Sequence, residues 1–138
     1  MRVFRILMPV PDIEAAAKFY AKLFEAPGER VSPGRHYFKA GDVVFACYSP
    51  NAEGSQTPPR PLETETYLAV KDLEATYDQA LKAGAKLSTE TQHHAGNLAR
   101  IEERPWGERS FYTSDPFGNP LCFVDEKTLF TGRATKRS

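Results

Sequence analysis

The side chains in this sequence that could carry chemistry are three histidines and two cysteines, and their spacing favours neither a metal site nor a catalytic pair. His93 and His94 are adjacent, so on a strand they would face opposite sides, and His36 stands alone in a predicted strand. Cys47 and Cys122 lie in apolar, strand-like runs without CxxC spacing. We therefore expect surface or loop histidines and buried, structural cysteines. A nucleophilic Cys122 would need a base and an electropositive setting, and the sequence shows neither.

Missing motifs, charge balance and the length of apolar runs argue against several classes of protein. The chain contains no GxSxG elbow, Walker loop, GxGxxG or HExxH motif. Its 18 basic residues balance 18 acidic ones, which argues against nucleic acid as a partner. No apolar run reaches transmembrane length, and the N-terminal apolar stretch is too short and too rich in proline for a signal sequence. We expect a cytoplasmic protein without a membrane partner.

The stretch 105–126, PWGERSFYTSDPFGNPLCFVDE, predicts a β-hairpin that any candidate site must be built around. From Arg109 to Ser114, two sets of side chains alternate with the period of two of a half-buried strand: 109, 111 and 113 on one side, and 110, 112 and 114 on the other. The turn residues DPFGN follow, in which Asp115 can accept bonds from the downstream backbone and Gly118 tolerates positive φ. The run LCFV then returns as the second strand.

The rest of the chain contains an internal repeat. A strand at 2–9 precedes a helix capped by Asp12 and ended by Pro27-Gly28, and a strand at 65–70 precedes a helix capped by Asp72 and ended by Gly84. The two helix starts share four residues at a constant offset, which indicates duplication; the pairs are Val10/Val70, Asp12/Asp72, Glu14/Glu74 and Ala15/Ala75.

Further strands are predicted after each helix. They fall at 29–32, 35–40 and 43–48 in the first half, and at 86–92, 108–114 and 120–125 in the second. Each half thus has the order βαβββ. Residues 95–104 have no clear pattern, and a loop with one helical turn is our expectation. The predicted single domain comprises module 1 (1–49), a proline-rich linker (50–63), module 2 (64–126) and a tail (127–138) that frays.

The pattern WGxRxF followed by DPxGN and an apolar strand resembles the vicinal-oxygen-chelate superfamily, which includes glyoxalase I, extradiol dioxygenases and bleomycin-resistance proteins. The resemblance implies an α+β fold in which two βαβββ modules form an open, cup-shaped mixed sheet. In that superfamily the cup is often completed across a homodimer, so the resemblance also implies a dimer.

Metal-binding relatives typically carry His, Gln or Glu on the first and last strands of each module. The resemblance places Arg5 and Glu65 at the first-strand positions, Cys122 at one last-strand position, and Phe45 or Ala46 at the other. Arginine cannot ligate a metal, and a lone carboxylate with a lone thiol mixes hard and soft ligands. We therefore expect no divalent metal cofactor.

The same positions suggest a ligand pocket. Arg5 and Glu65 would form either an ion pair or polar anchors for a ligand, and Arg109 would either line the cup or pair with a nearby acid. Strand aromatics are mostly core, but Trp106 at a strand mouth could cover a planar ligand. The candidate ligand-binding residues are Arg5, Phe45, Glu65, Tyr67, Trp106, Arg109, Phe111 and Cys122.

The sequence therefore predicts a protein that holds a small organic molecule, an aromatic one among the candidates, and that is closest in motif to the bleomycin-resistance-like branch without a metal. The alternative is a metal-dependent glyoxalase-like lyase or isomerase, or a ring-cleaving dioxygenase. A protein–protein module is a third class, and a large exposed apolar patch would be its sign.

Overall fold

The structure, a computed structural model, describes residues 1–132. The last six residues of the predicted frayed tail lie outside this described range. Within it, neither helix is long and apolar enough to cross a membrane.

The N-terminal module is a four-stranded mixed sheet covered on one side by a helix. The strands run in the order β1-β4-β3-β2, with β1 parallel to β4 and the other pairs antiparallel. Its elements are β1 (Arg5–Pro9), α1 (Ile13–Phe24), β2 (Glu29–Ser32), β3 (Arg35–Ala40) and β4 (Val43–Tyr48).

The C-terminal module repeats this arrangement. Its strands run in the order β5-β9-β8-β6, β5 is parallel to β9, and a short extra strand, β7, also pairs with β8. Its elements are β5 (Thr66–Val70), α2 (Leu73–Ala83), β6 (Lys86–Leu87), β7 (Glu102–Glu103), β8 (Arg109–Ser114) and β9 (Pro120–Asp125). The α+β fold of two repeated modules is confirmed.

The predicted helix starts are confirmed in detail. The side chains of Asp12 and Asp72 accept hydrogen bonds from the backbone N–H groups of Ala15 and Ala75, at 3.1 and 3.0 Å. Such N-caps satisfy N–H groups that the helix itself leaves unpaired. Gly84 ends α2 with a φ of 113°, but Glu25, not Pro27-Gly28, ends α1 in the left-handed region.

Several predicted details of the strands and loops are wrong. The strand expected at 86–92 is only Lys86–Leu87, and the region 95–104 contains the two-residue β7 and turns but no helical turn. The first strand begins at Arg5, not at residue 2. The predicted linker begins with a short 3-10 helix, Pro50–Glu53. Glu53 ties the linker to the first module because its carboxylate accepts a bond from the Gly34 N–H at 2.7 Å.

One apolar core lies between the sheets and the helices and joins both modules. It contains Met8 from β1, Phe19 from α1, Leu73 from α2 and Phe111 from β8. Because side chains alternate along a strand, the neighbours of these core residues point away from the helices. We call that second side of the two sheets the open face.

The predicted turn DPFGN is a polar clamp between the modules. Asp115 is fully buried, and its carboxylate accepts bonds from Tyr20 Oη in α1 at 2.7 Å and from Asn119 Nδ2 at 2.9 Å. Asn119 Nδ2 also donates to the carbonyl of Pro9 at 2.7 Å, and its Oδ1 accepts from the Leu62 N–H at 2.8 Å. The turn therefore holds the first helix, the first strand and the linker at once.

Removing the Tyr20 hydroxyl should destabilise the fold. In Tyr20→Phe, a buried carboxylate loses a short hydrogen bond, so we expect a loss of about 1–3 kcal/mol in urea unfolding. Tyr77→Phe in α2 is the matched control, because that hydroxyl makes only a 3.5 Å contact with the Ala99 carbonyl. Equal effects of the two substitutions would contradict the clamp.

Candidate ligand site on the open face

The register of β1 and β4 decides which side chains of the N-terminal module reach the open face. Arg5 pairs with Val44, and Ile6 pairs with Phe45. Ile6 and Phe45 belong to the helix-facing core, so Arg5, Val44 and Ala46 lie on the open face. Of the two predicted last-strand positions, Ala46 therefore faces the cup.

In the C-terminal module the open face is formed by β5, β9 and β8. Tyr67 pairs with Cys122 and Ala69 pairs with Val124, so these four side chains share that face. Phe111 is 0% exposed and belongs to the helix-facing core.

Arg109 also points away from the open face. Its guanidinium pairs with Glu74 of α2 at 2.5 Å and with Asp125 at 3.0 Å. The Arg109 hydrogen bond lowers the pKa of Glu74; the Lys127 backbone N–H and then Arg109 lower the pKa of Asp125. Of the two alternatives for Arg109, the structure shows the pairing with an acid. The expected placement of Phe45 and Phe111 in the cup is wrong, because strand alternation turns both towards the helices.

A loop of the chain itself covers part of the open face. Ala95 and Leu98 of this covering loop, residues 95–104, pack on Tyr112, Cys122 and Val124 in a second small apolar cluster. The Tyr112 N–H donates to the Leu98 carbonyl at 2.8 Å. Cys122, predicted as a ligand-binding residue, is only 1% exposed as a result.

Arg104, 1% exposed, fastens the covering loop. Its Nε and Nη2 donate to the hydroxyl and carbonyl of Ser110 at 2.9 and 2.7 Å. Nη1 donates to the carbonyls of Ala95 and Asn97, and Nη2 also donates to that of Arg100. All five guanidinium N–H donors are thus used, which satisfies a buried cation almost entirely with backbone acceptors.

The environment of Cys122 makes it a weak nucleophile. Burial raises the pKa of its thiol to about 12, outweighing the opposite effects of hydrogen bonds to Ser110 and Tyr112 and of the Arg104 charge. The thiol is therefore protonated near neutral pH, and only the thiolate is strongly reactive.

Beside the covered area, the open face forms a cavity of about 430 Å³. Tyr67 is 56% exposed and Trp106 is 38% exposed, which is unusual for large aromatic side chains. The cavity is lined by Tyr67, Ala69, Trp106, Glu108, Val124 and residues 129–131. Two of the predicted site residues, Tyr67 and Trp106, thus meet in one cavity.

Local turn chemistry positions the indole. Gly107 adopts a φ of 96°, which glycine accommodates without strain, and its N–H donates to the Arg104 carbonyl at 2.8 Å. Trp106 Nε1 donates to Glu108 Oε1 at 2.8 Å, and the Phe130 N–H donates to Glu108 Oε2 at 2.9 Å. Glu108 therefore fixes both the indole and the C-terminal segment at the cavity.

A larger, mainly apolar groove of about 820 Å³ is lined by residues of both modules. Ile6 and all five residues of β5 line it, together with the C-terminal end of α1. Tyr67 and Ala69 line both cavities, so the groove and the smaller cavity meet at β5.

Among residues 1–132 of a single chain, the predicted anchors Arg5 and Glu65 do not contact each other as an ion pair. Arg5 is exposed, and its guanidinium carbon lies 4.9 Å from the Phe4 ring centroid and 5.2 Å from that of Tyr37. Glu65 is exposed, and residues 1–132 contain no ion pair between it and Arg5.

The family model described as the Glyoxalase/Bleomycin resistance protein/Dioxygenase superfamily matches residues 2–123. The chain belongs to this superfamily. No curated protein matches the chain significantly.

Solved structures of superfamily proteins share the fold. A glyoxalase/bleomycin resistance protein from Albidiferax ferrireducens T118 is 18% identical, with a TM-score of 0.66 over 88% of this chain and 96% of that chain. A glyoxalase-related enzyme from Fulvimarina pelagi is 19% identical, with a TM-score of 0.69 over 91% of this chain and 88% of that one. A lactoylglutathione lyase from Agrobacterium tumefaciens is 17% identical, with a TM-score of 0.60 over 91% and 94%. At these identities the likeness shows the fold alone.

The side chains that the sequence resemblance places at the superfamily's metal positions would make a poor donor set for a divalent cation. Arg5 is a cation, Ala46 has no donor atom, and the Cys122 thiol is protonated beneath the covering loop, which leaves Glu65 alone. Across the described range, His, Cys, Asp and Glu side chains form no group of three that could hold a metal.

The histidines fall in two settings. His36 is buried, contrary to expectation, with Nε2 2.8 Å from the Pro27 carbonyl and Nδ1 accepting from Arg30 Nε at 3.3 Å. His93 and His94 lie in a loop, as predicted.

Sequence reasoning missed Arg104, Glu108 and the lining segment 129–131. Arg104 stands in the charged run EERP, which carries no signal for burial. The only available sign for Glu108 was its position two residues after Trp106 in the hairpin, where a carboxylate can reach the indole N–H.

The two buried thiols should make stability sensitive to alkaline pH. Burial, followed by the nearby Asp115 charge, raises the pKa of Cys47 from 9.0 to about 12, and burial also raises that of Cys122 to about 12. In the unfolded chain the thiols ionise near pH 9. The stability that the folded state gains from its protonated, buried thiols is therefore fully present below about pH 9 and is lost as the pH rises towards 12. We expect urea titrations to show a decline of up to about 1.4 kcal/mol per thiol per pH unit above about pH 9.

The double variant Cys47→Ala/Cys122→Ala is the comparison. It should be less stable near pH 8, because it loses buried volume, but its stability should decline less steeply with pH. An unchanged slope would show that other groups control the alkaline response.

Arg104→Met should open the covering loop selectively. The substitution leaves buried carbonyls unpaired, so we expect Cys122 to react at least about tenfold faster with a thiol reagent such as Ellman's reagent. Labelling is measured in two backgrounds. In Cys47→Ser the remaining Cys122 reports on the open face, and in Cys122→Ser the remaining Cys47 reports on the helix-facing core. Arg100→Met, at an exposed position, is the matched control. Equal acceleration at both thiols would mean global unfolding and would contradict a separable loop.

Proposed function

We propose that this protein binds a small organic molecule in the cavity on the open face of its C-terminal module. The observation that carries the proposal is the pair of half-exposed aromatics, Tyr67 and Trp106, at a concave site of about 430 Å³. Small-molecule sites commonly have this size and this mixture of aromatic walls and a few polar groups. Arg5 and Glu65, exposed and not paired with each other, remain candidate polar anchors.

The proposed role is binding without a catalytic metal. It is supported by the donor set described above, in which an arginine, an alanine and a buried thiol stand at the positions that ligate metals in relatives. The two free, buried cysteines fit a reducing compartment, so we place the protein in the cytoplasm.

We also propose that a second copy of the chain completes the open face. Leu7 is 49% exposed and Tyr67 is 56% exposed on that face, and the edges of β1 and β5 carry unpaired backbone groups. Light scattering of the purified protein should then give the mass of a dimer.

Binding can be measured from the protein's own fluorescence, because Trp106 is the sole tryptophan. We expect a saturable change in Trp106 emission with planar aromatic compounds. Tyr67→Ala should weaken binding by about tenfold through loss of an aromatic wall. Tyr37→Ala, on the open face of the other module, is the matched control. Unchanged affinity in Tyr67→Ala would contradict the proposed location.

The metal-dependent alternative has its own test. Elemental analysis of tag-free protein should find no stoichiometric metal, and Mn²⁺, Ni²⁺, Zn²⁺, Mg²⁺ and Fe²⁺ should not raise the melting temperature, since a specific ligand stabilises the folded state. About one metal per chain with a clear shift would favour a lyase or a dioxygenase.

A further inference from the structure

We infer that the ligand of this cavity carries an organic cation, such as a methylated ammonium group, held by Glu108 among aromatic rings. The inference rests on the proposed function, because it names the chemical class of ligand for the same cavity. Three observations carry it: the aromatic walls, the single carboxylate, and the neutral hydrogen-bond donors that hold that carboxylate.

The walls of the cavity suit a positive charge. Tyr67, Trp106 and Phe130 come from three separate segments and line the same space, and all three side chains are partly exposed. The faces of aromatic rings carry negative potential and attract cations, most strongly for tryptophan. Several rings around one space are the arrangement that recognises quaternary and methylated ammonium groups.

The charged residue that lines the cavity is acidic, which suits a cationic ligand. Glu108 is the sole charged residue among the lining residues, within the described part of the chain. The lining formed by residues 1–132 therefore favours cations over ligands that place a carboxylate or phosphate beside Glu108.

Within residues 1–132, the groups that hold the Glu108 carboxylate in place are neutral donors. Its two oxygens accept from the Trp106 indole and the Phe130 amide, which are both neutral donors. No lysine or arginine pairs with Glu108 among residues 1–132. Each carboxylate oxygen can accept more than one bond, so the group can also accept one from a ligand. Arg109, the next residue, is committed to Glu74 and Asp125.

The test uses two probes of the same shape that differ in charge, 4-(trimethylammonio)phenol and 4-tert-butylphenol. Both are titrated into the full-length protein while Trp106 emission is followed. We expect the cation to bind about tenfold more tightly than its neutral counterpart. The preference should shrink as ionic strength rises, because salt screens the carboxylate at this partly exposed site.

Glu108→Gln keeps an acceptor for the indole N–H and removes the charge. The preference for the cation should fall to about threefold or less, the remainder coming from the rings, while affinity for the neutral probe stays within about twofold. Glu29→Gln, which removes an exposed carboxylate on the other module, is the matched control and should keep the preference. Circular dichroism checks that both variants fold.

The outcomes separate the two proposals. Equal affinity for the two probes in the wild-type protein, or an unchanged preference in Glu108→Gln, overturns the cation inference and leaves the cavity as a binding site. If neither probe binds, both the inference and the proposed site are overturned.

Discussion

The buried carboxylate of Asp115 is the interaction on which the arrangement of the two modules depends. It accepts bonds from Tyr20 in the first helix, and Asn119 beside it holds the first strand and the linker. A buried carboxylate is costly unless it is hydrogen-bonded, so it favours the one arrangement that supplies its donors. The same burial and the Asp115 charge raise the pKa of Tyr20, which keeps that hydroxyl a donor.

The clamp holds the two modules so that most apolar side chains are buried on one side of the sheets. The proposed ligand site lies on the other side, the open face. Both helices and the shared core lie on the clamped side. On the open face, residues 1–132 cover only part of the C-terminal sheet, with a loop that Arg104 fastens through backbone carbonyls. The uncovered remainder is where Tyr67, Trp106 and Glu108 meet, so the position of the candidate site follows from where the covering loop ends.

The superfamily supports many chemistries on one scaffold, and fold alone does not assign one of them. In this chain the sequence resemblance places an arginine, an alanine, a glutamate and a covered thiol at the metal positions. Recognition by aromatic surface and a single fixed charge needs no metal, and it fits what these residues offer.

The sequence by itself determined the elements, the repeat and the hairpin, because helix caps, turn residues and alternation are local signals. Asp12, Asp72 and the DPFGN turn could therefore be assigned from their neighbours alone, and the strand pattern was enough to select Tyr67 and Trp106, which line one cavity, as candidates. Tertiary structure alone decided which face each strand residue occupies, because one residue of register exchanges the two faces of a strand. It put Phe45 and Phe111 in the helix-facing core and turned Arg109 towards Glu74 of α2. It also decided that Arg104 is buried and that Glu108 reaches the indole. Those contacts depend on where the covering loop and the C-terminal segment come to lie, and no local pattern encodes that.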